Sequence, residues 1–243
     1  MSKSLLLAVE TSGRKGSVAV GEGEKPLAEM TFSGPMRHSA ELFTCVEKIL
    51  ARIGSKIADV RLVSIAAGPG SFTGLRIAVT MAKMMALAAD VKIFPVNTME
   101  VIAENATDYI NEKNCKINKI ASILDAKRKH FYVSVFARTH DKWLRTGKDC
   151  LIKPTEFIRR FARYQEPIWL LGEGLVYYRN AFKADGIRFL DEKYFSARAK
   201  NVYLLGRQMA KQSYYADPVG LTPYYMRKPQ ALENLEKADN TCP

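Results

Sequence analysis

An apolar, strand-like run from Leu62 to Ala66 passes directly into Gly68-Pro69-Gly70-Ser71-Phe72-Thr73-Gly74-Leu75-Arg76, and from there into a long apolar segment of helical character. A corner of this composition constrains the chain to α/β structure at this point. Glycine admits positive φ, Pro69 holds its own φ, and Ser71 or Thr73 can cap the free N–H groups of a helix that starts near Gly74. Such a corner suits an anion, because unpaired amides and the helix dipole both favour negative charge. However, no Gly-Lys-Ser/Thr follows the loop and no G-x-G-x-x-G lies within it, so neither the P-loop nor the dinucleotide fingerprint applies. The plainer alternative is a tight turn that brings a helix close to a sheet, with Gly68, Gly70, Ser71, Thr73 and Gly74 as its structural residues.

The order of elements around the corner extends the reading. Leu5–Val9, Ser17–Val20 and Leu27–Phe32 read as three short strands joined by glycine-containing turns. A helix follows, with Ser39 as its N-cap, Leu42, Val46, Ile49, Leu50 and Ile53 on one face, and Gly54 as its stop. Strand Leu62–Ala66, helix Leu75–Ala88, strand Lys92–Val96 and a helix from Thr98 to about Asn111 complete a βββαβαβα series. The second half restarts with strands Ile120–Asp125, Phe131–Ala137 and Trp143–Cys150. Helix Thr155–Arg163, strand Ile168–Leu171, a helical stretch near Tyr177–Phe182, strand Arg188–Leu190 and a helix from Ala199 to about Ser213 follow. Two units with the same order predict a duplicated α/β domain, divided as residues 1–100, 101–230 and a tail, 231–243, that reads as exposed.

Composition narrows the function classes. At 243 residues and 47% hydrophobic the chain can bury a substantial core, and its apolar runs are broken by Lys83, Asp90 or arginines before a bilayer is spanned. No signal peptide or membrane segment is expected. Cys45, Cys115, Cys150 and Cys242 are scattered without a C-x-x-C, as suits reduced cytosolic thiols. The net charge of +12 is uneven, with 12 basic against 9 acidic residues in 1–100 and 25 against 16 in 101–243. Lys127-Arg128-Lys129, Arg159-Arg160 with Arg163, and Arg227-Lys228 beside Tyr224 and Tyr225 form basic clusters. These could meet RNA or serve solubility alone.

Several motifs stand together in a recognisable order: Leu7-Ala8-Val9-Glu10-Thr11-Ser12, His38-Ser39-Ala40-Glu41-Leu42, the glycine loop, Asp125-Ala126-Lys127-Arg128 and Pro223-Tyr224-Tyr225-Met226-Arg227. In this set the chain resembles the bacterial TsaB family, also called YeaZ, closely over residues 5–135 and more loosely beyond. The resemblance implies an actin-like ATPase (ASKHA) fold of two ribonuclease-H-like halves with mixed sheets flanked by helices. It also implies a cytoplasmic role beside the transferase TsaD, the ATPase TsaE and the carbamoyl-adenylate synthase TsaC, in placing a threonylcarbamoyl group on the adenosine next to the tRNA anticodon.

TsaD carries a metal-binding H-x-x-x-H. Here the corresponding stretch runs from His38 to Leu42, and a His-Leu pair on one helix face cannot bind a metal. In actin-like ATPases an Asp ends the first strand of each half and a small-residue turn clasps phosphate. The places that match are Glu10-Thr11-Ser12-Gly13 and Asp125-Ala126-Lys127-Arg128, so Glu10, Thr11, Ser12 and Asp125 are read as remnants of a nucleotide site. Lys and Arg in the second turn disfavour phosphate binding. Gly172-Glu173-Gly174 is either a relic of an adenosine-side loop or a simple turn.

No catalytic residue, metal or cofactor is therefore expected, and the surfaces are left to act. The two helices after the first strands hold more apolar residues than one sheet face requires. The resemblance implies that they pair with the same helices of TsaD or of a second copy, with His38, Leu42, Leu75, Met81, Met84 and Met85 at the interface. The expected function is that of a non-catalytic partner that supports TsaD and helps dock TsaE, touching tRNA weakly or indirectly and no membrane. The alternatives are a small-molecule kinase or metallopeptidase on the same fold, and a stand-alone RNA-binding module.

Overall fold

The computed structural model describes residues 4–34 and 37–226, and only the backbone of His38. The first three strands, β1 (Leu5–Glu10), β2 (Ser17–Gly21) and β3 (Ala28–Thr31), form an antiparallel meander. β4 (Val60–Gly68) and β5 (Lys92–Asn97) then add parallel strands to the other side of β1, giving the order β3-β2-β1-β4-β5. Every residue of β1 and β2 is buried, which is why these strands read as continuous rather than alternating apolar runs: both faces are covered. The period of two still divides them. Leu5, Leu7 and Val9 pack with α1 (His38–Arg52) and α2 (Phe72–Ala89), whereas Leu6 and Ala8 face α3 (Thr98–Ala103) and α7 (Ala199–Lys211).

The second sheet repeats the pattern. β6 (Lys119–Asp125) pairs antiparallel with β7 (Phe131–Thr139), which pairs with β8 (Lys142–Arg145), while β10 (Ile168–Leu171) and β11 (Ile187–Phe189) run parallel beyond β6. The order β8-β7-β6-β10-β11 mirrors that of the first sheet, with β9 (Cys150–Ile152) added on β7. The duplication expected from element order is thus present in strand order and direction. α4 (Asn105–Lys113), α5 (Pro154–Phe161) and α6 (Leu175–Tyr178) complete the helices.

Three local expectations shift, each for a packing reason. The single helix expected from Thr98 is two, breaking at Glu104 where buried Asn105 donates to Tyr194 O at 2.9 Å and Ser196 O at 2.8 Å. The strand expected over Trp143–Cys150 is interrupted, because Asp149 turns inward to pair with Arg145 and Ser134. α1 starts at His38 without the cap expected from Ser39; Arg37 precedes it and pairs with Glu41 at 3.0 Å.

The end of the chain returns to the first sheet. Ala199 N–H donates to Ser17 Oγ at 2.9 Å, Ser64 Oγ donates to Val202 O at 3.1 Å, Ala216 bridges to Ile93, and Tyr224 N–H donates to Ala67 O at 2.7 Å. Residues from α7 to Tyr225 therefore belong to the first sheet's packing although they fall within the stretch 101–230 expected to form the second half. Arg227, Lys228, Cys242 and the tail 231–243 lie outside the described residues.

Candidate functional site

The C-terminal ends of β1, β4, β6 and β10 meet around a cleft of about 590 Å³. In open α/β sheets this is where crossover connections diverge and ligands enter. The turns after β1 and β6, the glycine loop after β4 and the turn after β10 all contribute to its walls.

The glycine loop is packed against the first turn rather than held open. Ser71 N–H donates to Ser12 O at 2.7 Å, and Thr11 Oγ1 donates to Gly74 O at 2.7 Å. A Cβ at Gly74 would overlap Thr11 O, and one at Gly70 would lie 2.5 Å from Ser12 O, so both positions need glycine for the close approach. Gly68 sits at φ 127° against the carbonyl of Tyr224, which ties the Pro223-Tyr224-Tyr225-Met226 segment to the loop. Ser71, not Thr73, supplies the cap of α2, accepting from Gly74 N–H at 3.3 Å, and the helix begins at Phe72. Of the two readings left open by the sequence, the tight structural turn is the one that these contacts support.

The first turn is occupied by carboxyl groups of this same chain. Glu10 is fully buried, and its Oε1 accepts from Ser12 N–H and Ser12 Oγ at 2.5 Å each and from Gly13 N–H at 3.2 Å. Burial pushes this carboxyl up to about 7; the Ser12 and Gly13 donors pull against that shift and the charge of Glu173 adds to it. Glu10 Oε2 is buried without a hydrogen-bond partner among the described residues, consistent with a group that favours its neutral form. The next amide, Arg14 N–H, donates at 2.9 Å to Glu173 Oε2, and Glu173 Oε1 accepts from Ser196 Oγ at 2.8 Å. Ser12, Gly13 and Arg14 thus present three successive amides, the arrangement that cradles phosphate elsewhere, and each donates to a carboxylate of this same chain.

The second turn differs. Asp125 accepts from Lys127 N–H at 2.7 Å and pairs with Lys127 Nζ at 3.2 Å. Lys127, Arg128 and Lys129 take φ values of 65°, 54° and 59° and expose their side chains. The left-handed region that glycine would enter freely is thus occupied by three long cations.

Sequence reasoning named Glu10, Thr11, Ser12 and Asp125 as remnants of a nucleotide site; of these Ser12 and Asp125 line the cleft, while Glu10 and Thr11 are fully buried and do not line it. It missed Glu173 as a ligand of the first turn, along with Arg14 and Tyr177, whose ring lies 5.3 Å beneath the Arg14 guanidinium. Gly172-Glu173-Gly174 was visible as a turn; nothing local links it to residues some 160 positions earlier.

The expected interface set requires correction. Leu42, Leu75 and Met81 are buried at 0%, 0% and 3% exposure because their helix faces turn toward the first sheet, so they are core residues. Met84 is 58% exposed and Met85 half-buried, while Leu87 and Phe43, at 77% and 56%, stand outside without having been singled out. The His38 side chain lies outside the described residues. By length and composition alone α2 could cross a membrane, but Leu75, Ala78, Val79, Met81 and Ala82 bury one of its faces within the protein. Among the described residues no cluster of His, Cys, Asp and Glu is placed to hold a metal ion.

A family model described as TsaD, tRNA N6-adenosine threonylcarbamoyltransferase, matches residues 34–234. The tRNA threonylcarbamoyladenosine biosynthesis protein TsaB of Escherichia coli is 24% identical over 231 residues, covering 95% of this chain and 97% of that protein. Its counterpart of the same name in Bacillus subtilis is 24% identical over 229 residues, covering 93% and 95%. The solved structure of YeaZ from Pseudomonas aeruginosa shares the fold, with a TM-score of 0.76 at 21% identity over 92% of this chain and 100% of that one. With two sheets of one strand order, the loop and turns in their expected places and this match along nearly its whole length, the chain belongs to the TsaD family and, within it, to the TsaB (YeaZ) branch.

Proposed function

We propose that this chain is a non-catalytic, cytoplasmic partner of TsaD in the formation of threonylcarbamoyladenosine on tRNA. The observation that carries the reading is the first turn: all three of its amides are engaged by Glu10 and Glu173, so the place where an actin-like ATPase would hold phosphate is filled by the protein itself. The pathway for which its relatives are named supplies the setting. Partner contact falls to the outward side of α1 and α2, where Phe43, Met84 and Leu87 offer adaptable apolar surface. TsaD takes that surface in the working complex, a second copy takes it when the chain is alone, and TsaE docks on the assembled pair.

The test is tRNA modification from threonylcarbamoyl-adenylate with this chain alone, TsaD with TsaE, and all three together. Product is expected only from the full set. Product from this chain alone would overturn the reading and return Glu10 and Asp125 to catalysis. In the same assay Met84→Asp is expected to lower complex formation at least tenfold while the isolated chain stays folded, since its side chain stands outside the core.

A further inference from the structure

The mouth of the cleft carries features that a purely structural partner does not need. Phe72, Tyr132, Tyr177 and Tyr178 all line it. Three of these rings are held in place from behind while remaining accessible. Tyr177, 71% exposed, receives a hydrogen bond from the Arg14 guanidinium, which also lies over its ring. Tyr178, 39% exposed, packs edge-on against Phe131 at 5.2 Å. Phe72, also 39% exposed, sits 5.1 Å from Tyr225 with Arg76 over its face at 3.8 Å. Rings fixed in this way lose little freedom when another π-face stacks on them.

The lips of the cleft are cationic. Arg14 stands on one side and Lys127 on the other, and the exposed tip Lys127-Arg128-Lys129 continues outward. Three successive left-handed residues are costly for L-amino acids, whereas glycine would adopt the same turn freely. Strain kept at an exposed position points to the side chains it carries. Of the nearby acids, Asp125 offsets the charge of Lys127, whereas Glu173 is taken up by the Arg14 amide and Ser196 rather than by a side-chain cation.

We propose that this mouth is a contact site for unpaired nucleotides of an RNA strand, with bases stacking on Tyr177 and Tyr178 and phosphates meeting the Lys127–Lys129 tip. Its meaning for tRNA rests on the proposed partner role, but its binding chemistry does not. The filled first turn directs the phosphates to the lips, because the amides deeper in are already engaged.

The experiment is fluorescence anisotropy of the full chain, without TsaD, titrated into labelled single-stranded RNA and into duplex RNA of equal length. The single strand should bind more tightly. Tyr177→Ala should weaken it about tenfold. The double variant Arg128→Gly, Lys129→Gly keeps a backbone that glycine tolerates and should weaken binding while lowering the salt slope by about 1 to 2. Arg159→Gln with Arg160→Gln, a basic pair that does not line the cleft, should leave binding unchanged. Absent single-strand binding, equal or better duplex binding, an unaffected Tyr177→Ala, an equal loss in the Arg159 and Arg160 variant, or full displacement by equimolar ATP would each overturn the proposal. If the chain proves dispensable for modification yet binds RNA with this variant pattern, the partner role fails and the site stands. If it is required for modification but shows no such binding, the reverse holds.

Discussion

The turns after β1 and β6 occupy equivalent places in the two sheets yet have become opposite chemical objects. The first is a ring of amides around carboxylates: Glu10, wholly buried, takes the Ser12 and Gly13 N–H groups, and Glu173 reaches across from the other half to take that of Arg14. The second is an exposed basic tip whose single carboxylate, Asp125, is partly open to solvent and neutralised by its neighbour Lys127. A duplicated fold offers two candidate phosphate clasps. This chain has filled one with its own acid and covered the other with long cations, so strand topology persists where the chemistry does not.

The largest expected effect tests what locks the first turn in place. Gly74→Ala would drive a Cβ into Thr11 O and break the contact between α2 and the turn, with an expected loss of about 3–5 kcal/mol in urea unfolding or outright failure to fold. Gly172, held at φ 121° with Ile123 O close by, is the corresponding tight point of the second half, and Gly172→Ala should cost a similar amount. A tolerated Gly74→Ala would mean that the loop gives way more easily than its contacts indicate.

Next in size is the difference between the two carboxyls. The folded state holds Glu10 near 7 against an ordinary 4.5, so it favours the protonated form. The stabilisation this supplies is full below pH about 4.5 and is lost as pH rises through about 7, a swing of about 3 kcal/mol. Glu10→Gln should therefore flatten the fall in Tm between pH 5 and pH 8. Asp125→Asn, which removes a largely solvent-exposed pair, should shift stability by no more than about 1 kcal/mol. A wild-type Tm that does not fall across that range would remove the case for a neutral Glu10.

The third comparison bears most directly on function. Glu173→Ala removes the acceptors of Arg14 N–H and Ser196 Oγ and should cost about 1–2 kcal/mol. It should also free one amide of the first turn, so calorimetry should detect phosphate binding at millimolar concentration that is absent from the unaltered chain. If the variant binds no more anion than the original, something other than the internal carboxylate keeps phosphate out.

Much of the fold was legible from the sequence because its signals are short-range. Ile168–Leu171 reads as a strand from four consecutive apolar residues bounded by turns, and that is its observed extent. Ser71 was one of two caps expected for α2, and it caps a helix that begins two residues ahead of the expected start near Gly74, while the paired order of strands and helices carried the duplication. Less legible was the sidedness of α2. Its apolar residues run all round, so periodicity could not separate buried Met81 from exposed Met84, and only packing on the first sheet did so. Asp149, which breaks an expected strand, looks in sequence like any loop acid; its effect depends on Arg145 and Ser134 being near it in the fold.

The sequence by itself determined most of the elements, the glycine corner and the carboxylates that end β1 and β6, because backbone preference, apolar periodicity and turn chemistry act within a few residues of one another. Only the tertiary structure decided that α7 returns to the first sheet, which side of α2 faces outward, and that Glu173 fills the first turn. Each of these joins segments far apart in the chain, and their energies exist only once the two sheets have packed.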